Sequence, residues 1–97
     1  MKASGIFYFK SLSLRDKGSF VDQNGKTVEY KASYVLLCDE LLDNNQVKER
    51  RFNFSAENKT LAEDFKYLDL YTKVGIDFAL TMYSSNVSLE PIKVTLL

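Results

Sequence analysis

The sequence predicts a mainly β protein of five strands, with one helix between the third and the fourth. Three observations lead there. Apolar and aromatic residues alternate with polar ones along much of the chain, as a half-buried strand requires. Two polar turn clusters, Asn24-Gly25 and Asp43-Asn44-Asn45, separate runs of this kind. Helical spacing is convincing in one segment only, after Ser55.

Residues 5–14, "GIFYFKSLSL", are rich in aromatic and branched types and short for a helix, and form the first expected strand. Gly18 interrupts a run that otherwise reaches Val21, the mark of a bulge or sharp bend. Asn24-Gly25 is the pair favoured by a type I′ hairpin turn, whose two central positions need positive φ. The second strand returns from about Lys26 to Cys38. The third is "VKERRFNFS", where Phe52 and Phe54 share a face. In "AENKTLAEDFKYLDLYTK" Leu61, Phe65 and Leu68 recur at helical spacing, Asn58 stands at the N-cap and Lys73 follows the end.

"VGIDFALTMYSS" then alternates as the fourth strand, with Val74, Ile76, Phe78, Leu80 and Met82 inward. A turn at Ser85-Asn86 leads into "VSLEPIKVTLL". There Leu89 and Ile92 break the two-residue period around Pro91, as an edge strand or a bulge does. Three strands, a helix and two strands is the order of the OB fold, a five-stranded Greek-key barrel that binds oligonucleotides across its second and third strands. A ubiquitin-like domain places its helix after the first hairpin and fits less well. No repeat, linker or low-complexity tract divides the chain, so residues 1–97 read as a single OB-like domain.

Composition narrows the function. Hydrophobic residues at 45% suffice for one small core, whereas 13 basic residues against 13 acidic ones give no bulk attraction for nucleic acid, so such a role needs a local basic face. With no histidine the usual zinc sites and the commonest general base are missing. No phosphate loop, dinucleotide loop or serine elbow occurs, and no carboxylate pair sits in an apolar frame. The expectation is a protein that is not an enzyme and needs neither cofactor nor metal. The opening "MKASGIFYFKSLSL" lacks the apolar core and cleavage site of a secretory signal, and nothing approaches the roughly 20 apolar residues of a membrane helix. A cytoplasmic location with no membrane partner is therefore expected, and three glycosylation-like triplets, at Asn53, Asn58 and Asn86, are read as chance. The lone Cys38, beside Leu36 and Leu37, is expected to be a buried thiol.

Candidate binding residues gather around the hairpin and the third strand. Arg15 and Lys17 precede the Gly18 bend, Lys26 follows the turn, Lys31 lies on the second strand, and Lys48, Arg50 and Arg51 lie on the third. In an OB barrel these elements are neighbours across one face, although "KERR" also fits a strand edge protected by charge. The acidic residues fall more heavily in Asp39–Asp43 and the helix, so a polarised molecule is expected. Tyr30 and Tyr34 share one strand phase and fit two readings: core residues with hydroxyls at the rim, or a platform on which bases stack. Phe20 and Tyr83 are further stacking candidates. Phe7, Phe9, Phe52, Phe54, Phe65 and Phe78 belong to the core.

The "NGK…Y" hairpin, followed by a strand carrying a buried-looking cysteine, resembles the small single-stranded DNA-binding proteins of bacteriophages and mobile elements, the filamentous-phage gene V type in particular. The likeness covers the order of elements over most of the chain, and residue types over 15 to 38. It implies cooperative, sequence-independent coating of single-stranded DNA by a homodimer in the host cytoplasm, protecting replication intermediates. On matching positions it extends to Arg15, Lys26, Tyr30 and Tyr34. The chain departs from that type in its helix after the third strand and its neutral charge. The last strand, with Leu96 and Leu97, is the expected dimer interface. The alternative is a small phage-encoded protein-binding module or inhibitor acting through a sheet edge or an apolar patch.

Overall fold

The computed structural model describes residues 1–83 and 86–97, apart from the side chain of Tyr83. Its elements are β1 (Lys2–Arg15), β2 (Gly18–Val21), β3 (Thr27–Tyr30), β4 (Ser33–Leu41), β5 (Val47–Ser55), α1 (Lys59–Lys66), β6 (Lys73–Tyr83) and β7 (Asn86–Leu96). The protein is mainly β. A five-stranded sheet runs in the order β5-β4-β1-β6-β7, antiparallel at every pairing, and β2 with β3 forms a separate two-stranded sheet.

The long second strand expected from Lys26 to Cys38 is two strands in two sheets. Pairing of Arg15 with Ser33 and of Gly18 with Tyr30 leaves Asp16–Lys17 facing Lys31–Ala32 without a ladder. Both sides of the long hairpin thus break at one level, and Ala32 turns aside to accept a hydrogen bond from the Ala56 N–H at 3.1 Å. Beyond the break β2–β3 packs chiefly against itself, as an arm. The radius of gyration of 14.8 Å and the long axis of 46 Å agree with projecting parts, since a compact chain of this length has about 12.5 Å.

Two bulges keep the core face continuous. In β1, Phe9 opposes Cys38 and Ser11 opposes Leu37, so Lys10 is the extra residue. This shift lets Phe7 and Phe9 point inward before it and Leu12 pack on the core after it. In β7, Pro91 opposes Phe78 and Lys93 opposes Asp77, leaving Ile92 unpaired. The break in period around Pro91 is therefore a bulge in an edge strand, with Pro91 buried and Ile92 exposed. The expected turn at Ser85-Asn86 lies in part outside the described residues. Val74, Ile76 and Phe78 are buried as their alternation implies. Met82 is 66% exposed instead, because the β6–β7 ladder runs past the last β1 pair, Lys2 with Ala79.

The helix begins as expected: the Asn58 side chain accepts a hydrogen bond from the Leu61 N–H at 3.2 Å. It ends earlier than expected, at Lys66, and Lys73 opens β6. The cause lies in tertiary bonding, where the Tyr71 N–H reaches the Phe9 carbonyl at 2.6 Å and Phe9 N–H reaches the Thr72 carbonyl at 2.9 Å. These bonds hold Tyr71 at a φ of 66° and swing the chain onto β1.

All six phenylalanines assigned to the core are buried, with Leu36, Cys38, Leu61, Ala62, Val74 and Ile76. Phe7, Phe52 and Phe78 meet mutually edge to face, with centroids 5.2, 5.5 and 5.9 Å apart. Phe65 of α1 covers another side, against Phe9 and Phe54. The sheet curls far enough for β5 and β7 to approach, yet no ladder joins them among the described residues. Phe52→Ala removes the ring at the centre of this arrangement and is expected to cost about 3–5 kcal/mol of unfolding free energy, readable by urea denaturation. A loss under 1 kcal/mol would show that the triad is not the keystone of the core.

Candidate nucleic-acid interface

The β2–β3 arm is built by its turn. The Asp22 carboxylate accepts hydrogen bonds from the N–H groups of Asn24 and Lys26, both at 2.9 Å. The Gly25 N–H bonds the Asp22 carbonyl and the Asp22 N–H bonds the Lys26 carbonyl. Gly25 has a φ of 77°, and Asn24 is not among the residues with positive φ. The turn is thus a three-residue loop with glycine in the left-handed position; it is not the two-residue type I′ turn that Asn-Gly implies. The Asp22 side chain decides this by tying down the first half of the loop. The β4–β5 turn repeats the pattern, with Asn45 at φ 61°.

One face of the arm carries Phe20, Val28 and Tyr30, from the cross-strand pairs Phe20 with Val28 and Gly18 with Tyr30. The Phe20 and Tyr30 rings lie 6.4 Å apart. Phe20 is 54% exposed. The Arg15 guanidinium carbon sits 4.4 Å from the Tyr30 ring centroid, a cation–π contact at the root of the arm. Gly18 is required beneath that ring: a Cβ there would stand 2.6 Å from the Tyr30 Cζ. The arm and its root hold Arg15, Lys17, Lys26 and Lys31, interspersed with Asp16, Asp22 and Glu29.

The remaining candidates separate from this face. Tyr34 packs on the core, its ring stacked on Phe54 at 5.2 Å. The two opening tyrosines therefore have different surroundings, Tyr30 against a guanidinium and Tyr34 against a buried phenylalanine. Lys48, Arg50 and Arg51 do not form one patch. Lys48 and Arg50 share a strand phase with the buried Phe52 and Phe54, whereas Arg51 lies in the other phase with Glu49. Arg50 donates to Glu40 at 2.8 Å. Lys48 stands seven residues along β5 from the arm end of the strand, about 23 Å away. The side chain of Tyr83 lies outside the described residues.

The sequence reading missed Lys10, which the β1 bulge turns outward onto Asp39 and Glu49. The hydrogen bond with Glu49 is the main reason its ammonium pKa is raised above the ordinary value. With Arg50–Glu40, these pairs interleave charge across β1, β4 and β5, so the expected separation of acidic and basic sides does not arise there. The bulge was legible only as tertiary register. Cys38 is buried, and desolvation pushes its thiol up to about 12, so it stays a neutral thiol.

Beside the arm runs a groove of about 670 Å³ between the hairpin root and the β5–α1 corner. Lys17, Glu29, Tyr30 and Lys31 line one wall and Ser55–Glu57 the other. Nothing in the sequence marked Ser55–Glu57; the β4–β5 register brings that corner to the arm, with Ser55 opposite Ser33 and the Ala56 N–H on the Ala32 carbonyl. Among the described residues, no group of three or more cysteine or carboxylate side chains is placed to hold a metal ion, and no helix is long and apolar enough to cross a membrane.

Gly18→Ala is expected to lift Tyr30 away from Arg15. The Arg15 side-chain proton resonances should then lose their ring-current shift, with little change in Tm because the arm is remote from the core. An unchanged Arg15 spectrum would show that the ring does not lie over Gly18 in solution. Comparison with protein families, with curated proteins and with solved structures gives no match, so the geometry above is what bears on function.

Proposed function

We propose that the protein binds single-stranded DNA without sequence dependence and coats replication intermediates, as the resemblance to the filamentous-phage gene V type implies. The observation that carries this reading is the aromatic and cationic face of the arm: Phe20 exposed, and Tyr30 beside it capped by Arg15. Every base presents a π face, so aromatic rings and guanidinium planes hold a strand regardless of sequence. Lysines around the arm supply phosphate neutralisation without a net positive chain.

The main sheet supports an OB-like reading of the fold. In chain order its strands lie third-second-first-fourth-fifth, with α1 between the third and the fourth. In OB barrels the loop between the first and second strands is one of the oligonucleotide-binding loops. On this reading the β2–β3 arm takes the place of that loop. The function needs no catalytic group or cofactor.

A titration with poly(dT) at two salt concentrations tests the reading. If Arg15, Lys17, Lys26 and Lys31 each meet a phosphate, log affinity should fall against log salt with a slope of roughly 3, at about 0.7 per contact. Phe20→Ala should weaken binding by about 1–3 kcal/mol with Tm unchanged. Tyr34→Ala should instead cost about 2–3 kcal/mol of stability, less than a fully buried ring. No binding at low salt would remove this reading and favour the protein-binding alternative, which the exposed Tyr67, Leu70 and Tyr71 beyond α1 support.

The functional unit we propose is a symmetric homodimer joined along β7. This edge strand exposes Val87, Ile92 and Leu96, apolar area that a second copy would cover. Light scattering at micromolar concentration should give twice the chain mass, and Leu96→Lys should halve it. A wild-type monomer at high micromolar concentration would contradict the dimer.

A further inference from the structure

The groove beside the arm contains a feature that non-selective binding does not explain. Glu29 and Glu57 both line it, and among the described residues neither carboxylate has an ion-pair partner. Glu29 alternates with Val28 and Tyr30 along β3 and so lies off the Phe20 face; in a groove that only passes a DNA backbone, unpaired carboxylates repel phosphate and are a cost. Lys17 and Lys31 line the same groove, and Tyr30 forms part of its wall. The volume lies within the range of small-ligand clefts and accommodates a nucleobase.

We propose that this groove is a base-selective subsite that takes guanine in preference to thymine, with Glu29 and Glu57 as acceptors for the base edge and Lys17 and Lys31 as partners of the flanking phosphates. The inference rests on the single-stranded DNA reading and deepens it. A carboxylate is acceptor-only. Guanine presents two adjacent donors on its pairing edge, N1–H and N2–H, which match the two oxygens of one carboxylate. Thymine presents one donor between two carbonyl oxygens, and those oxygens are repelled by the carboxylate. Cytosine and adenine, each with one amino group, fall between, as in the acceptance of the cytosine amino group by acidic side chains. Tyr30 supplies an apolar wall for whichever base enters.

The test uses a dT homo-oligomer and the same oligomer carrying one dG, titrated against the wild type and a Glu29→Gln/Glu57→Gln double variant. Both positions are exposed, so the variant should fold as the wild type does. Gln offers a donor as well as an acceptor and so accommodates the thymine carbonyls. The wild type should bind the dG oligomer roughly fivefold tighter, the lower end of discrimination by a paired hydrogen bond. The double variant should bind both oligomers equally, with dT affinity unchanged or raised. Equal affinities in the wild type, or a preference that survives in the double variant, would overturn the subsite and leave non-selective DNA binding standing. Binding to neither oligomer would overturn both.

Discussion

Three phenylalanine rings set the shape of this protein. Phe7, Phe52 and Phe78 belong to β1, β5 and β6, and in the sheet order β4 and β1 lie between β5 and β6. Three inter-strand steps in a flat sheet would hold Phe52 and Phe78 about 14 Å apart. Their centroids are 5.5 Å apart. The contact exists only if the sheet curls, and the edge-to-face geometry lets three quadrupoles meet favourably at once. Once curled, the sheet has an open side that Leu61, Ala62 and Phe65 of α1 help to fill. The β5–α1 corner meets the root of the arm through the β4–β5 ladder itself, where Ser55 opposes Ser33 and the Ala56 N–H bonds the Ala32 carbonyl.

The arm obeys other physics. Its two strands leave the main sheet where Asp16–Lys17 and Lys31–Ala32 fail to pair, and it contributes no residue to the buried core. Its order comes from the Asp22-capped turn and from Tyr30 lying over Gly18 beneath Arg15. Substitutions on the arm face are therefore expected to leave the fold intact, whereas substitutions in the core unfold it. This separation leaves Phe20 exposed on the arm and Tyr34 stacked on Phe54 at the core, though both are aromatic and near the hairpin.

Charge is distributed by the same logic. On the main sheet, cations and carboxylates neutralise one another across strands: Lys10 with Asp39 and Glu49, Arg50 with Glu40. Such partly exposed pairs add little stability. Their larger effect is to hold Lys10 and Arg50 against carboxylates of the neighbouring strands. Arg15, Lys17, Lys26 and Lys31, on the arm and at its root, have no ion pair among the described residues, and Asp16, Asp22 and Glu29 stand unpaired among them.

Local chemistry determined much of this protein. Strand alternation, the Asn58 cap and the period break at Pro91 each depend on neighbours within a few residues, and each was legible in the chain. So was the buried phenylalanine set, because burial of a large apolar ring needs no knowledge of its partner. Tertiary structure alone decided the rest. Whether Tyr34 faced Phe54 or solvent depended on which strand lay alongside. Whether Arg50 was free depended on Glu40 across a ladder, and Lys10 turned outward only through a bulge that a one-residue register shift defines. The groove unites residues 17–32 with residues 55–57, and no local rule links them. Their meeting follows from the β4–β5 register, which sets Ser55 opposite Ser33 and Ala56 against Ala32, a pairing between segments too far apart for any short window of sequence to contain.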